Sequence, residues 1–443
     1  MLKNALDFCI LPFERNGGAA APPERSMDKI VINGGAKLLG TVEISGAKNA
    51  ALPVLIGTIL TGDRCVIENV PEVLDVDLTL EILEKIGARI KRDHTTVEID
   101  TRYVRPALTP YELVNKMRGS TYFIGAELGR FKYAKVGTPG GCDFGPRPID
   151  QHIKSFCALG AEVSGLGGYV EARAERLCGS EIYFDVVSVG ATVNAMLASV
   201  FAEGTTVLEN AAREPHIVDL ANFLNTCGAN IMGAGTDTIK IKGVDALHGC
   251  SYAIIPDMIE AGTFMFAAAA TGGNVKVNNV IPKHLDSISA KLSEMGVAVE
   301  ELDDAIIVRR EGAMRGINVK TLPYPGFPTD MQPQITALLC FADGDSKVTE
   351  GVWDNRFRYV EELRKTGANI DVAGKSAIVH GSRSLVGAPM RSVDLRAGAA
   401  MVIMGLAISG RTEITDIHTI ERGYDNIVEK LRALGADIRK VSF

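Results

Sequence analysis

One helix ending recurs six times along the 443-residue chain. It reads Ile86-Gly87-Ala88, Leu159-Gly160-Ala161, Cys227-Gly228-Ala229, Met295-Gly296-Val297, Thr366-Gly367-Ala368 and Leu434-Gly435-Ala436, with successive glycines 73, 68, 68, 71 and 68 residues apart. A fixed period constrains a fold more than any local propensity, because each repeat must be one supersecondary unit stacked on its neighbours. Glycine there supplies the left-handed residue that ends a helix before a strand such as Ala436-Asp437-Ile438. Ahead of each ending the same order recurs: a small-residue apolar helix, a glycine turn, a short β-branched strand and an amphipathic helix. Leu52-Pro53-Val54-Leu55-Ile56 running to Gly62 is one instance, and Met401-Val402-Ile403-Met404 running to Gly410 is another. Stretches such as Phe264 to Ala270 are apolar nearly all round, which places those helices between other layers. Residues 27–443 thus divide into six βαβ-like units, and the expected class is α/β with sheets facing outward around buried helices. The alternative is one doubly wound sheet, which seldom shows so regular a period.

Composition narrows the function classes. With 46% hydrophobic and 23% charged residues the chain has material for a large core. Its formal net charge of −7 argues against a nucleic-acid partner, which needs a clustered basic surface. A phosphate-bearing ligand must then be met by a few locally placed cations. Eight cysteines lie scattered, with no CxxC pair, so neither a zinc site nor a disulfide framework is indicated and no metal is expected. The histidines His94, His216, His248, His284, His380 and His418 are isolated, and His152 either faces a cleft or lies on a helix surface. No run reaches the roughly eighteen apolar residues of a membrane span, so a soluble protein is expected. Residues 1–26, turn-rich around Gly17-Gly18-Ala19-Ala20-Ala21-Pro22-Pro23, read as a disordered tail outside the repeats, with Met27 a candidate start.

Each buried helix opens on polar residues: Lys48 and Asn49, Arg118 and Ser120, Ser188 and Thr192, Asp257 and Glu260, Asp330, and Asp394 with Arg396. Helix N-termini attract anions, and several together would make a strong anion site. Simple N-capping is the plainer reading for Ser188, Asp257, Asp330 and Asp394. Lys48, Arg118 and Arg396 resist it, because a cation at an N-terminus opposes the helix dipole and needs a compensating anion. In the second unit the step from glycine turn to terminating glycine, Gly129 to Gly160, spans 31 residues against 23 to 25 elsewhere. The excess falls on the loop Pro139-Gly140-Gly141-Cys142-Asp143-Phe144-Gly145-Pro146-Arg147-Pro148. A core role suits Cys65, Cys157, Cys178, Cys227 and Cys340. It suits Cys142 poorly, because Arg147 stands close enough in sequence to favour a reactive thiolate.

Ser45-Gly46-Ala47-Lys48-Asn49-Ala50, the loop from Pro139 to Pro148, Ser188-Val189-Gly190-Ala191-Thr192, Phe327-Pro328-Thr329-Asp330-Met331-Gln332, Asn355-Arg356-Phe357, Asp394-Leu395-Arg396 and Glu421-Arg422-Gly423-Tyr424 follow one another in a familiar order. From about residue 28 onward the chain resembles the UDP-N-acetylglucosamine 1-carboxyvinyltransferases, a family of enolpyruvyl transferases. The resemblance implies an EPSP synthase-like fold, a two-domain inside-out α/β barrel with three repeats in each domain. One domain is 27–47 plus 256–443, the other is 48–255 with the Cys142 loop, and the active site lies in the cleft between them.

The resemblance also implies a reaction. The 3-hydroxyl of UDP-N-acetylglucosamine adds to phosphoenolpyruvate, the methylene carbon is protonated, and phosphate is eliminated, as the first committed step of peptidoglycan synthesis. Cys142 is then the acid, the carrier of a covalent donor adduct and the residue fosfomycin alkylates; Asp330 is the base. Lys48, Asn49, Arg147, Arg356, Arg396 and Arg422 bind phosphoenolpyruvate, with Lys48 and Arg422 also counted as catalytic. Arg118, Arg147, Pro148, Ile149, Asp150, Gln151, Val186, Val187, Ser188, Val189, Gly190, Asp330 and Val352 hold the UDP-sugar. Val186 and His216 depart from the family, which often has lysine and glutamate there, so nucleotide contacts are open at both. No cofactor, nucleic acid or membrane partner is implied, and a cytoplasmic monomer is expected. Two alternatives stand beside this reading: EPSP synthase-type transfer to shikimate 3-phosphate, whose enzymes lack the Pro-Gly-Gly-Cys loop, and a catalytically silent UDP-sugar-binding homologue.

Overall fold

The computed structural model describes residues 28–442 apart from 107, 108, 110, 139–148 and 383. The expected tail and the loop with Cys142, Arg147 and Pro148 lie outside the described residues. The described chain divides into two compact units, one made of Lys48–Ile255 and the other of residues 28–47 with 256–442.

In the Lys48–Ile255 unit three helices pack on one another, Lys48–Thr61, Tyr122–Phe131 and Val189–Ser199. In the other unit the equivalent helices are Met258–Thr271, Gln332–Leu339 and Leu395–Ala407. Every residue from Ala50 to Thr61 is buried, as their apolar character on all sides requires. Strands outside them alternate: Cys65 and Ile67 face inward on Arg64–Glu68, while Arg64 and Glu68 face solvent. Among the described residues six sheets result, three in each unit, which excludes a single doubly wound sheet. Five share one plan. In the first repeat Ser251–Ala253 runs parallel to Arg64–Glu68, followed by antiparallel Thr96–Asp100 and Arg89–Asp93. The second repeat's sheet has three strands among the described residues, Tyr133–Gly137, Tyr169–Arg173 and Glu162–Leu166. Within each unit the three sheets keep separate ladders among the described residues, so "barrel" describes their wrapping of the helices and not a closed ring of hydrogen bonds.

The six glycines read as helix terminators all lie in the left-handed region, with φ between 89° and 109°. At Gly87 the two bonds of a Schellman ending are present, from Gly87 N–H to Glu84 C=O and from Ala88 N–H to Leu83 C=O. A second signal at the strand ends was not read from the sequence. Asn69, Asn210 and Asn279 adopt left-handed φ values of 56°, 55° and 54°, and their amides donate to the carbonyls of Ile254, Phe184 and Ile44 just past the parallel edge strands. Asparagine tolerates that conformation because its short amide bonds locally. Each one ties a central strand to its edge neighbour.

One turn was misplaced. Gly129 lies inside helix Tyr122–Phe131, and Lys132, at φ 60°, makes the turn that glycine makes elsewhere. Gly125 and Gly129 instead let this helix approach Val189–Ser199: a Cβ on Gly125 would stand 2.6 Å from the Asn194 carbonyl, and one on Gly129 2.6 Å from that of Leu197. Both obstacles are backbone, which cannot yield locally. Gly125→Ala is therefore expected to destabilise the unit by about 1–3 kcal/mol, the usual cost of overpacking. An unchanged thermal midpoint in that variant would show that the helices have room.

Among the described residues no helix is long and apolar enough to cross a membrane.

Candidate active site

The candidate site residues that the structure describes fall into two groups, one in each unit. In Lys48–Ile255, Lys48 opens its helix, and its Nζ lies 2.6 Å from Asp75 Oδ2 on helix Leu74–Lys85. Both side chains are nearly sealed, at 11% and 3% exposure. This is the compensating anion that a lysine at a helix N-terminus requires. Asp75 itself was missed, since an aspartate in the first turn of an amphipathic helix carries no distinguishing sign. Ser188 caps helix Val189–Ser199 by accepting from Ala191 N–H, so the capping reading holds for it. Asp257 and Asp394 cap their helices in the same way.

The stretch Ile149-Asp150-Gln151 meets the segment from Val186 to Gly190 through a residue that the sequence reading passed over. The Gln151 amide donates to Asp185 Oδ2 at 3.1 Å and accepts from the Asp185 backbone N–H at 3.0 Å. Lys154 adds an ion pair to the same carboxylate at 2.9 Å. Val186 and Val187 follow with 61% and 37% exposure, an unusual apolar display beside a polar frame. His152 is neither at a helix surface nor ionised. It is buried, and Asn194 Nδ2 lies 2.9 Å from its Nδ1. The Asn194 amide oxygen accepts from Gly125 N–H, so its NH2 faces the imidazole and the His152 proton sits on Nε2. Burial, with the charge of Arg118 behind it, lowers the His152 pKa to about 4. Arg118 opens a 3-10 turn, Arg118–Thr121, ahead of helix Tyr122–Phe131.

In the second unit Asp330 lies in the 3-10 turn Thr329–Met331 and does not cap the helix that follows; it forms ion pairs. Arg396 donates to Asp330 Oδ2 through Nη2 at 2.9 Å and Nε at 3.2 Å. Arg356 Nη2 lies 3.8 Å from Asp330 Oδ1. The guanidiniums are buried, at 2% and 5% exposure, while Asp330 keeps 35%. Burial opposes the charge of Arg396, but the Asp330 carboxylate outweighs it and holds the group protonated. The guanidinium also lies over the Tyr424 ring, 5.5 Å from its centre. Arg396 Nη1 is buried and makes no hydrogen bond among the described residues, although it is a charged donor. Such a donor is suited to an anionic ligand.

Val352 is positioned by another residue that was not foreseen. Glu350, 1% exposed, accepts from the backbone N–H groups of Val352 and Trp353 and from the hydroxyls of Thr321 and Thr329. Thr329 precedes Asp330 and its carbonyl accepts from Arg356. One buried carboxylate thus braces both the Val352 loop and the Asp330 turn. Glu260 is a similar brace, held by Lys430 and Ser45 N–H, with burial raising its pKa to about 7. Arg422 ends the short helix His418–Glu421 in this unit.

A family profile described as EPSP synthase (3-phosphoshikimate 1-carboxyvinyltransferase) matches residues 32–431. Among curated relatives, UDP-N-acetylglucosamine 1-carboxyvinyltransferase 3 of Caldanaerobacter subterraneus subsp. tengcongensis is 57% identical over 94% of this chain and 100% of its own length. UDP-N-acetylglucosamine 1-carboxyvinyltransferase 2 of Clostridium acetobutylicum is 56% identical over 94% and 99%. The chain belongs to this transferase family. Of solved structures, the enolpyruvyl transferase NikO from Streptomyces tendae superposes with a TM-score of 0.83 at 26% identity, covering 94% of this chain and 100% of that one. EPSP synthase from Acinetobacter baumannii, at 20% identity and a TM-score of 0.73 over 94% and 100%, shares the fold. The six repeats are therefore those of an enolpyruvyl transferase fold.

The cysteines depart from expectation. Cys340 is buried as foreseen, but Cys157 and Cys178 are only half-buried. Cys65 and Cys227 are buried against Cys250. Separations of 162 and 23 residues hid that meeting from the sequence.

Proposed function

We infer that the chain transfers the enolpyruvyl group of phosphoenolpyruvate to the 3-hydroxyl of UDP-N-acetylglucosamine with release of phosphate, supplying peptidoglycan synthesis. Family membership supports the donor and acceptor. The observation that carries the chemistry is the half-buried Asp330 carboxylate between the buried Arg356 and Arg396, with the Arg396 Nη1 making no hydrogen bond among the described residues. Phosphoenolpyruvate brings phosphate and carboxylate oxygens, and guanidiniums meet such groups through parallel N–H donors. In this reading Arg356, Arg396, Arg422, Lys48, Asn49 and Arg147 take the donor. As the anion draws the guanidiniums, Asp330 loses part of its hold on them and accepts the proton of the sugar hydroxyl. The sugar oxygen bonds to the central carbon of the donor while Cys142 gives a proton to the methylene carbon. Loss of a methyl proton then expels phosphate and restores the double bond. Asp150, Gln151 and the segment Val186–Gly190, framed by Asp185, hold the nucleotide sugar with Arg118, Pro148, Ile149 and Val352. Cys142 is also the proposed target of fosfomycin, and the enzyme is proposed to act as a cytoplasmic monomer.

The test is phosphate release from phosphoenolpyruvate with UDP-N-acetylglucosamine or shikimate 3-phosphate, on the parent and on Cys142→Ser, with and without fosfomycin. Release that needs the UDP-sugar, stops with fosfomycin and falls by about 10²-fold or more in Cys142→Ser is expected. Release with shikimate 3-phosphate alone would move the acceptor. Tight UDP-sugar binding without release would leave a silent homologue.

A further inference from the structure

Three thiols from separate segments converge in the Lys48–Ile255 unit. Cys65 lies on strand Arg64–Glu68, Cys227 ends helix Pro215–Thr226, and Cys250 precedes strand Ser251–Ala253. Their sulfurs all lie within 4.8 Å of one another, with Cys227 and Cys250 at 3.2 Å. The backbone fixes each position. Cys250 C=O accepts from Val66 N–H at 2.9 Å, Cys227 C=O accepts from His248 N–H at 2.9 Å, and the turn before Cys250 is pinned by Asp63, which accepts from Gly249 N–H. The convergence therefore belongs to the sheet and the helix ending, not to chance rotamers.

We propose that Cys65, Cys227 and Cys250 form a three-thiolate site for one soft divalent ion of the zinc and cadmium type. Thiolates select such ions over oxygen-seeking cations. With zinc–sulfur bonds of about 2.3 Å, two sulfurs on a tetrahedral ion stand about 3.8 Å apart, so small rotations of these side chains suffice. A disulfide, at about 2.05 Å, would use only two of the three sulfurs and leave the third position unexplained. Cys65 and Cys227 are buried and Cys250 is half-buried, which leaves the approach and the fourth coordination position on the Cys250 side. Binding breaks three S–H bonds, passes three protons to solvent and forms three metal–sulfur bonds, with no change of oxidation state. The ion would tie the edge strand Ser251–Ala253 and the helix end at Cys227 to the strand after the first buried helix. It takes no part in enolpyruvyl transfer.

The test uses the full, reduced chain titrated with cadmium against a competing chelator, reading the ultraviolet thiolate-to-cadmium charge-transfer band. One ion per chain is expected, with affinity at least about tenfold weaker in Cys65→Ser and in Cys250→Ser and unchanged in Cys340→Ser, whose thiol lies in the other unit. A parent-protein readout covers variants that fail to fold: cadmium should shield the peptides of Cys65, Cys227 and Cys250 together from alkylation, as mapped by mass spectrometry. Equal affinity in Cys65→Ser, alkylation unaffected by cadmium, or loss of only two thiols as a Cys227–Cys250 disulfide with no ion retained would each overturn the proposal. Catalytic activity does not enter the readout, so the result is independent of the transferase reading.

Discussion

Replacing Asp330 with asparagine is expected to lower turnover by about 10²–10⁴-fold, the span associated with losing a positioned general base. Apparent affinity for phosphoenolpyruvate should stay level or improve. The second half of the expectation is the discriminating one. Asp330 sits 2.9 Å from Arg396 Nη2 and 3.8 Å from Arg356 Nη2, so its carboxylate competes with any incoming anion for both guanidiniums. Asparagine removes that competitor while keeping the shape of the side chain. A residue that only held the arginines in place would show the opposite pattern, with weaker donor binding and turnover nearly preserved. Steady-state kinetics on the parent and Asp330→Asn, varying phosphoenolpyruvate at saturating UDP-sugar, separate the two. Turnover within about threefold of the parent would remove Asp330 as the base.

Asp75→Ala is expected to destabilise the Lys48–Ile255 unit by about 3–5 kcal/mol, because it takes the nearby carboxylate away from an ammonium that stays nearly sealed from water. Lys48 Nζ lies 2.6 Å from Asp75 at 11% exposure, too little for solvent to replace the ion pair. The helix N-terminus to which Lys48 belongs adds to the repulsion. The double variant Lys48→Met/Asp75→Leu removes both charges and should recover most of the stability, since apolar replacements of buried pairs are often neutral. It should not recover turnover, because the proposed phosphate contact is gone. Equal thermal midpoints for the parent and Asp75→Ala would show that the pair contributes nothing to folding. If the double variant stays as unstable as Asp75→Ala, packing rather than charge is responsible.

How far the sequence could be read depended on the range of the signal. Gly87, Gly160, Gly228, Gly296, Gly367 and Gly435 announced the helix ends correctly, because a left-handed residue is demanded by local backbone geometry. Ser188, Asp257 and Asp394 were legible as caps for the same reason. Gly129 misled because glycine has a second use, close helix approach, which depends on the partner Leu197 and not on the neighbours in sequence. Residues whose meaning lies in distant contacts stayed silent. Asp75, Asp185 and Glu350 look like ordinary surface acids until the fold sets them against Lys48, Gln151 and the Val352 loop. His152 looked ambiguous until Asn194 and Gly125 fixed its tautomer. The cysteine trio is the extreme case, since none of its members sits at a spacing that a motif search would flag.

The strand Lys29–Gly34 lies between Gly410–Thr415 and Asp437–Val441, so one sheet joins the first described strand to the last. During synthesis the Lys48–Ile255 unit has all its strands and helices available while nearly half the chain is still unmade. The other unit must wait for Asp437–Val441, because that closing ladder spans the greatest sequence separation among the described strand pairs, and contacts of that range form slowly. Lys29–Gly34 has two bare edges until Gly410–Thr415 is made, and one until Asp437–Val441 follows. The order of assembly is thus written into the connectivity: the inserted unit folds early as a preformed body, and the unit that encloses it in sequence is sealed last.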